Sequence, residues 1–128
     1  MGAWLAVAIG GALGAMTRFG ISTYWLPVVP GRIPWSTLLV NVVGSLLIGI
    51  LYVIIVDKGL WSQQWRVLLM TGFMGALTTF STFSIESVSL LQRQQFGLAG
   101  VYVVVSVVAC ILASFLAIWL THKILSMY

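Results

Sequence analysis

The chain has 128 residues, of which 61% are hydrophobic and only 6% are charged, with a formal net charge of +4. A soluble domain carries about 25% charged residues because its surface faces water, so this composition excludes an ordinary soluble globule. The six Lys and Arg residues are scattered singly and form no basic helix face, which gives nucleic-acid binding no support. The composition therefore predicts a protein whose surface faces the lipid bilayer.

Four apolar stretches are long enough to span a membrane, since a helix needs about 20 apolar residues to cross the hydrocarbon core. They cover residues 2–24, 36–56, 65–91 and 97–120. Tryptophan and tyrosine residues cluster near their ends, as is typical of membrane interfaces. The connecting loops are too short to fold separately. The sequence predicts an all-α integral membrane protein, multi-pass in the cell membrane, with residues 1–128 forming one four-span domain.

The first span contains small residues and an arginine. Gly10 and Gly14 are four residues apart, which is typical of a face that approaches another helix closely. Arg18 follows one turn later. Two interpretations remain open for Arg18: it extends to the membrane interface, or it raises the local potential for anions at a vestibule.

The second span carries polar residues at a helical repeat. Thr37, Asn41 and Ser45 recur every four residues and therefore share one face. Polar groups inside a span are energetically costly, so such a face indicates a function or a contact.

The third stretch is too long for one straight span. A continuous helix over residues 65–91 would be about 40 Å long, beyond a hydrocarbon core of about 30 Å. Gly72 and Gly75 precede a run of Thr and Ser residues, which are weak helix formers. The sequence predicts a break near residues 75–79. The alternative is an intact helix whose small residues pack against a neighbour.

Aromatic and polar residues follow the predicted break. Phe80 and Phe83 share one face, and Thr82 and Glu86 share another. An aromatic ring has a positive edge, so two rings presented edge-on would suit a small anion. The alternative for two phenylalanines at this spacing is ordinary core packing.

The fourth span has its own polar face, at one-turn spacing, formed by Tyr102, Ser106, Cys110 and Ser114. Two interpretations of the polar faces remain open: interhelical hydrogen bonds, or the lining of a narrow aqueous path. The presence of such polar faces on three helices of a small protein favours the aqueous path. Because the lining is mainly neutral and able to donate hydrogen bonds, it favours an anion over a cation.

The loops give no clear orientation. One side of the membrane holds Lys58, Arg66 and Lys123, and the other holds Arg18, Arg32 and Arg93. Orientation follows the Lys and Arg bias, so a balanced chain is expected to insert both ways and to pair as an antiparallel homodimer. The alternative is that unequal flanking distances or the terminal amine fix one orientation.

Three motifs occur in order along the first three spans. They are Gly10-Gly-Ala-Leu-Gly-Ala-Met-Thr-Arg18-Phe19, Asn41-Val-Val-Gly-Ser45 and Gly72-Phe-Met-Gly-Ala-Leu-Thr-Thr-Phe-Ser-Thr-Phe-Ser84. Together they resemble the Fluc (CrcB-like) fluoride channels of microbes. The likeness extends to chain length and the number of spans, although the fourth span has no motif of its own.

The resemblance implies an antiparallel, dual-topology homodimer with two fluoride pores and a structural Na⁺ at its centre. Phe80 and Phe83 match the family's paired phenylalanines, Asn41 its pore asparagine and Arg18 its first-helix arginine. The further pore residues it implies are Ser81, Thr82, Tyr102, Ser106 and Glu86. The implied Na⁺ ligands are the backbone carbonyls of Gly75 and Thr78 from both subunits.

The expected function is passive, fluoride-selective export, with fluoride, the lipid bilayer and a second copy of the chain as partners. Without an ATP site, a nucleophile–base pair or a histidine cluster, no enzyme activity is expected. One alternative is a small four-helix proton-coupled multidrug transporter, a class that resembles an antiporter built on a first-helix glutamate. The first span here has no acidic residue. The other alternative is a structural or assembly subunit without transport activity.

Overall fold

Five helices follow one another in the computed structural model, which describes residues 2–127. They are α1 (Gly2–Trp25), α2 (Trp35–Asp57), α3 (63–77), α4 (Phe80–Gln92) and α5 (Phe96–Leu125). No strand occurs within that range. Helices α3 and α4 together form the third of four segments that are long and apolar enough to cross a membrane. The predicted all-α architecture of four membrane helices is confirmed.

Three of these segments are partly π-helical, with a wider turn than the α-helix. The π-helical stretches are Ile21–Trp25 at the end of α1, Tyr52–Asp57 at the end of α2, and Arg66–Met74 within α3. Such stretches are rare and often lie near functional sites. In α3 the stretch ends three residues before the helix itself ends.

The break in the third segment consists of Thr78 and Thr79, inside the predicted window. Both have extended backbone, with φ/ψ of −80°/153° and −152°/114°. The side chain of Thr79 then caps α4, because its Oγ1 accepts a hydrogen bond from the Thr82 N–H at 3.2 Å. The predicted break is confirmed, and it lies at the middle of the membrane-crossing segment Gln63–Gln92.

Helix α1 packs along α3 through its predicted small-residue face. A Cβ atom added at Gly10 would strike the carbonyl oxygen of Leu68, and one added at Gly14 would strike that of Phe73. The two backbones can therefore approach this closely only because both positions lack a side chain. This packing brings the end of α1 to the end of α3, next to the break.

Helix α2 packs along α5, and a side chain joins the two at mid-helix: Ser114 donates to the Ser45 carbonyl at 2.9 Å. At the exposed end of the pair, His122 Nε2 lies 3.0 Å from Asp57 Oδ2. Helix α4 packs on α5 through Phe83 and Tyr102, both buried. The break therefore lies next to α1, α2 and α5.

Candidate functional site

The break changes the hydrogen bonding of two backbone carbonyls. In a continuous helix the Thr79 N–H would donate to the Gly75 carbonyl, and the Thr82 N–H to the Thr78 carbonyl. Instead, Thr79 N–H donates to Asn41 Oδ1 at 2.7 Å, and Thr82 N–H donates to Thr79 Oγ1 at 3.2 Å. The carbonyls of Gly75 and Thr78 thus lose the donors that a helix would supply.

Asn41 holds the extended segment in place. Besides accepting from the Thr79 N–H, its Nδ2 donates to the Thr79 carbonyl at 3.1 Å, so one amide satisfies both backbone groups of that residue. The second Nδ2 hydrogen remains available. One turn along α2, a Cβ atom at Gly44 would strike the Thr78 side chain, so the glycine lets α2 come this close to the break.

Arg18 points to the break from the opposite side. Its Nε donates to the Ala76 carbonyl at 3.0 Å, in the last turn of α3. A cation is favourable there because the exposed carbonyls at a helix C-terminus carry partial negative charge. The Arg18 side chain thus lies at the end of α3, beside the break.

A first cavity of about 250 Å³, called here the Phe cavity, opens beside the break. Its walls are formed by Asn41, Gly44, Ser45, Ile48, Thr78, Thr79, Phe80, Phe83, Ser106, Val107 and Cys110. The Phe83 ring lies 5.5 Å from the Phe80 ring and 5.3 Å from that of Tyr102, measured between centroids. Phe83 is only 8% exposed, whereas Phe80 is 77% exposed.

Ser106 is the unusual polar group of the Phe cavity. It is 5% exposed, yet its hydroxyl has no hydrogen-bond partner among residues 2–127. Buried hydroxyls in proteins nearly always have a partner, and an unpaired one calls for an explanation such as water or an ion. The hydroxyl is thus a buried donor in the wall of the Phe cavity, and the described chain does not supply its partner.

A second cavity of about 190 Å³, the arginine cavity, lies on the other side of the break. Its walls are formed by Arg18, Ser22, Val28, Ser36, Thr37, Val40, Thr79, Thr82 and Glu86. Both carboxylate oxygens of Glu86 are bound: Thr37 donates to Oε1 and the Tyr102 hydroxyl to Oε2, each at 2.8 Å. Ser36 is 2% exposed, and its hydroxyl is a second buried donor without a partner in the described chain.

The predicted pore residues divide between the two cavities. Those that line the Phe cavity are Asn41, Phe80, Phe83 and Ser106. Those that line the arginine cavity are Thr82, Glu86 and the first-helix Arg18. Tyr102 lines neither, but its hydroxyl binds Glu86. Ser81 is exposed and lines neither, with its Oγ 3.3 Å from Thr79 Oγ1.

Other residues of the site lie outside the set that the resemblance implies. Thr37, Ser45 and Cys110 line the cavities, and their helical spacing placed them on the predicted polar faces. Thr79 gave no such signal, because its importance comes from its backbone bonds to Asn41. Ser36 also lies outside the polar spacing, although it lines the arginine cavity.

The freed carbonyl oxygens are the groups at the break that could act as ligands of a metal ion. Within residues 2–127 no three His, Cys, Asp or Glu side chains lie close enough to hold one. Carbonyl oxygens are the ligands that hard cations prefer, and the C-terminal end of a half-helix adds negative potential. The donor set of Gly75 and Thr78 therefore fits the implied Na⁺, and Gly75 is exposed in the single chain.

Comparisons with known proteins show the family to which the chain belongs. Residues 5–118 match the family model described as CrcB-like protein, Camphor Resistance (CrcB). A protein of Saccharophagus degradans named fluoride-specific ion channel FluC is 51% identical over 121 residues, which cover 94% of this chain and 90% of that relative.

Two further relatives carry the same name. The protein of Hahella chejuensis is 45% identical over 119 residues, covering 93% of this chain and 94% of its own length. That of Leptospira interrogans is 41% identical over 117 residues, covering 91% of each. The family match and the alignments with these relatives both reach from the first membrane-crossing segment into the fourth. The chain is a multi-pass membrane protein that belongs to the CrcB-like family.

Proposed function

We propose that this chain forms a passive fluoride-selective channel through which fluoride leaves the cell. The observation that carries the proposal is the Phe cavity at the helix break, at the middle of a membrane-crossing segment. Its wall contains the Asn41 amide, the Phe80–Phe83 ring pair and the buried Ser106 hydroxyl, which has no partner among residues 2–127. The names of the relatives support fluoride as the ion.

The cavity offers an anion several weak contacts in place of water. The Ser106 hydroxyl and the second Nδ2 hydrogen of Asn41 are free to donate. The Phe80 and Phe83 rings offer positive edges if the ion passes in their plane. Among the described residues, no positively charged side chain lines the cavity, so the anion is bound without being trapped. Conduction requires binding that is strong enough for the ion to enter and weak enough for it to leave.

A second copy of the chain is part of the proposal because the non-helical backbone of the break must be shielded from lipid. Thr78 and Thr79 are non-helical at the middle of the segment, Gly75 and Ser81 are exposed, and Phe80 is 77% exposed. Non-helical backbone at membrane depth is tolerated only where protein or a water-filled cavity surrounds it. A partner laid across the break would supply that surface.

The balanced charges of the loops support an antiparallel partner. With Arg18 bound inside the membrane, the remaining cations are three on one side (Lys58, Arg66 and Lys123) and two on the other (Arg32 and Arg93). A difference of one gives little preference for either orientation. Each copy brings one Phe cavity to such a dimer, so a two-fold arrangement has two pores.

A Na⁺ ion at the dimer centre completes the proposal. The carbonyls of Gly75 and Thr78 from both copies would hold it, since these oxygens lack their helical donors. When bound, the ion supplies positive charge that offsets the negative ends of two α3 helices facing each other. The role is structural, because the chain's own residues stabilise the anion in the Phe cavity.

Transport would follow the membrane potential without energy coupling. Hydrogen fluoride is a weak acid that enters cells as the neutral molecule and dissociates inside. An inside-negative potential drives an anion outward with about 2.3 kcal/mol per charge per 100 mV.

The test is fluoride efflux from liposomes that contain the purified protein, with the membrane potential and the pH gradient set separately. We expect the rate to follow the potential and to remain unchanged when only the pH gradient varies. If efflux instead follows the pH gradient at constant potential, and a Glu86→Gln variant loses it, the proton-coupled transporter becomes the better account.

A further inference from the structure

The single cysteine of the chain lies in the Phe cavity. Cys110 is half-buried and lines the cavity together with Ser106, one turn before it on α5. It makes no hydrogen bond within residues 2–127, so its thiol is not committed to a neighbour in the described chain. The neighbouring polar positions of the same face, Tyr102 and Ser114, are both bound to other helices.

A second, independent feature of the cavity points to an occupant. Ser106 is 5% exposed, its hydroxyl has no partner among residues 2–127, and it shares the cavity wall with the thiol. Ser106 and Cys110 therefore form a short section of α5, between the bound Tyr102 and the bound Ser114, whose side chains are not bound to another helix of the described chain.

The position of Cys110 along the helix limits how it is reached. It is at the middle of α5 (Phe96–Leu125), far from both ends. An agent that arrives through water must enter by the cavity, and an agent that arrives through lipid must be neutral.

We infer that the Phe cavity is a modification site for soft, neutral mercury(II) compounds, and that a mercury atom on Cys110 closes the fluoride path. The inference rests on the proposed function of this cavity. Thiol sulfur is the side-chain ligand that soft metals prefer. Mercury(II) chloride suits the site because it is small, linear and uncharged, so an anion-selective environment does not repel it.

The reaction balances without a change of oxidation state. The S–H bond of Cys110 and one Hg–Cl bond break, an S–Hg bond forms, and one proton and one chloride ion are released to water. The product carries an S–Hg–Cl group that projects from α5 into a cavity of about 250 Å³. The group adds two heavy atoms to the wall of the cavity through which the proposed fluoride path runs, and it thereby obstructs that path.

The experiment measures fluoride efflux from liposomes containing the full-length protein, before and after mercury(II) chloride, with mass spectrometry of the same samples. We expect the adduct on Cys110, and efflux reduced to the rate of protein-free liposomes. Excess small-molecule thiol should remove the mercury and restore efflux, which separates blockage from denaturation.

Two variants serve as matched controls, each compared with its own untreated sample so that any difference in basal conduction cancels. Cys110→Ser should form no adduct and remain unaffected by mercury. Cys110→Ser combined with Ile111→Cys moves the thiol to a 63% exposed position at nearly the same depth, and should form the adduct without losing efflux.

The outcomes separate this inference from the proposed function. Three results would overturn the mercury site while leaving the channel intact. They are wild-type protein that forms the adduct and still conducts, wild-type protein that forms no adduct, and a Cys110→Ser variant that mercury blocks to the same extent as the wild type. Equal blockage of the Ile111→Cys variant would overturn it too. Absence of fluoride efflux before any mercury is added would count against the proposed function instead, and the adduct would still report whether the cavity is accessible.

Discussion

Asn41 shows how one polar side chain inside an apolar helix decides the geometry of its surroundings. Its amide takes the place of a neighbouring peptide group for Thr79, since it both accepts from the N–H and donates to the carbonyl. Without this partner, two backbone groups at the middle of the membrane would lack hydrogen bonds. Asn41, which is expected to contact the ion, thus also stabilises the extended backbone of Thr79.

Substitution of Asn41 separates these two roles. Asn41→Ala removes both bonds, and leaving buried backbone groups unpaired costs about 1–3 kcal/mol each. Asn41→Asp keeps the acceptor for the Thr79 N–H but places an acid on the proposed anion path. We expect Asn41→Ala to lower the thermal unfolding temperature more than Asn41→Asp, and both to lose fluoride efflux. Fluoride efflux at the wild-type rate in Asn41→Asp would contradict the assigned path.

Substitution of Ser106 should have a different effect from substitution of Asn41: it should slow fluoride efflux and leave the fold unchanged. Because its hydroxyl has no protein partner in the described chain, Ser106→Ala breaks no hydrogen bond there, and we expect stability to change by about 0.5 kcal/mol or less. Hydrogen bonds to charged groups are worth about 1.5–3 kcal/mol. Efflux should therefore fall about tenfold or more.

The check for Ser106→Ala is to measure thermal unfolding and fluoride efflux on the same preparation. Reduced stability with unchanged efflux would mean that the hydroxyl is structural.

At the scale of the helices, close backbone contact between α1 and α3 brings Arg18 to the break. Gly14 has no room for a methyl group, because its Cβ would strike the Phe73 carbonyl, whereas Gly11 has nothing within 4 Å. We expect Gly14→Ala to destabilise the protein by about 1–3 kcal/mol through overpacking. Gly11→Ala should be neutral or slightly stabilising, because alanine is the better helix former.

Thermal unfolding of the two glycine variants in the same detergent measures this difference. Equal stabilities would mean that α1 and α3 do not approach as closely as described.

The sequence predicted the helices better than it predicted the contacts between them. Long apolar stretches identified the membrane-crossing segments, and weak helix formers identified the break near residues 75–79, which lies at Thr78 and Thr79. Besides the local cap by Thr79, the bonds that stabilise the break come from Asn41 and Arg18, on other helices. Local propensity contains no information about such partners.

The site was predicted only in part for the same reason. Helical spacing placed Asn41 and Ser106 on polar faces, but it could not show that the predicted residues divide between two cavities on either side of the break. That division depends on how α2 crosses α4 and α5. The binding of Glu86 by Thr37 and Tyr102 likewise joins three helices, so no single-helix pattern predicts it.

At the scale of the whole molecule, the balanced loops make a prediction about assembly. Arg32→Gln with Arg93→Gln should bias insertion one way, and Lys58→Gln with Lys123→Gln the other, because Lys and Arg residues favour the cytoplasmic side. If the channel is an antiparallel dimer, each double variant expressed alone should conduct poorly. Co-expression of the two should restore fluoride efflux, whereas full activity of either one alone would contradict dual topology.

The proposal that the Phe cavity conducts fluoride selectively is tested by comparing two ions in one preparation. Liposomes containing the protein are loaded with fluoride and chloride, and efflux of both is recorded with ion-selective electrodes for the wild type and for Phe80→Ala. Phe80 is exposed in the single chain, so its truncation is expected to leave the chain folded. We predict rapid fluoride loss, no chloride loss, and much slower fluoride loss in the variant. Retention of fluoride by folded wild-type protein, or equal loss of both ions, would contradict the account.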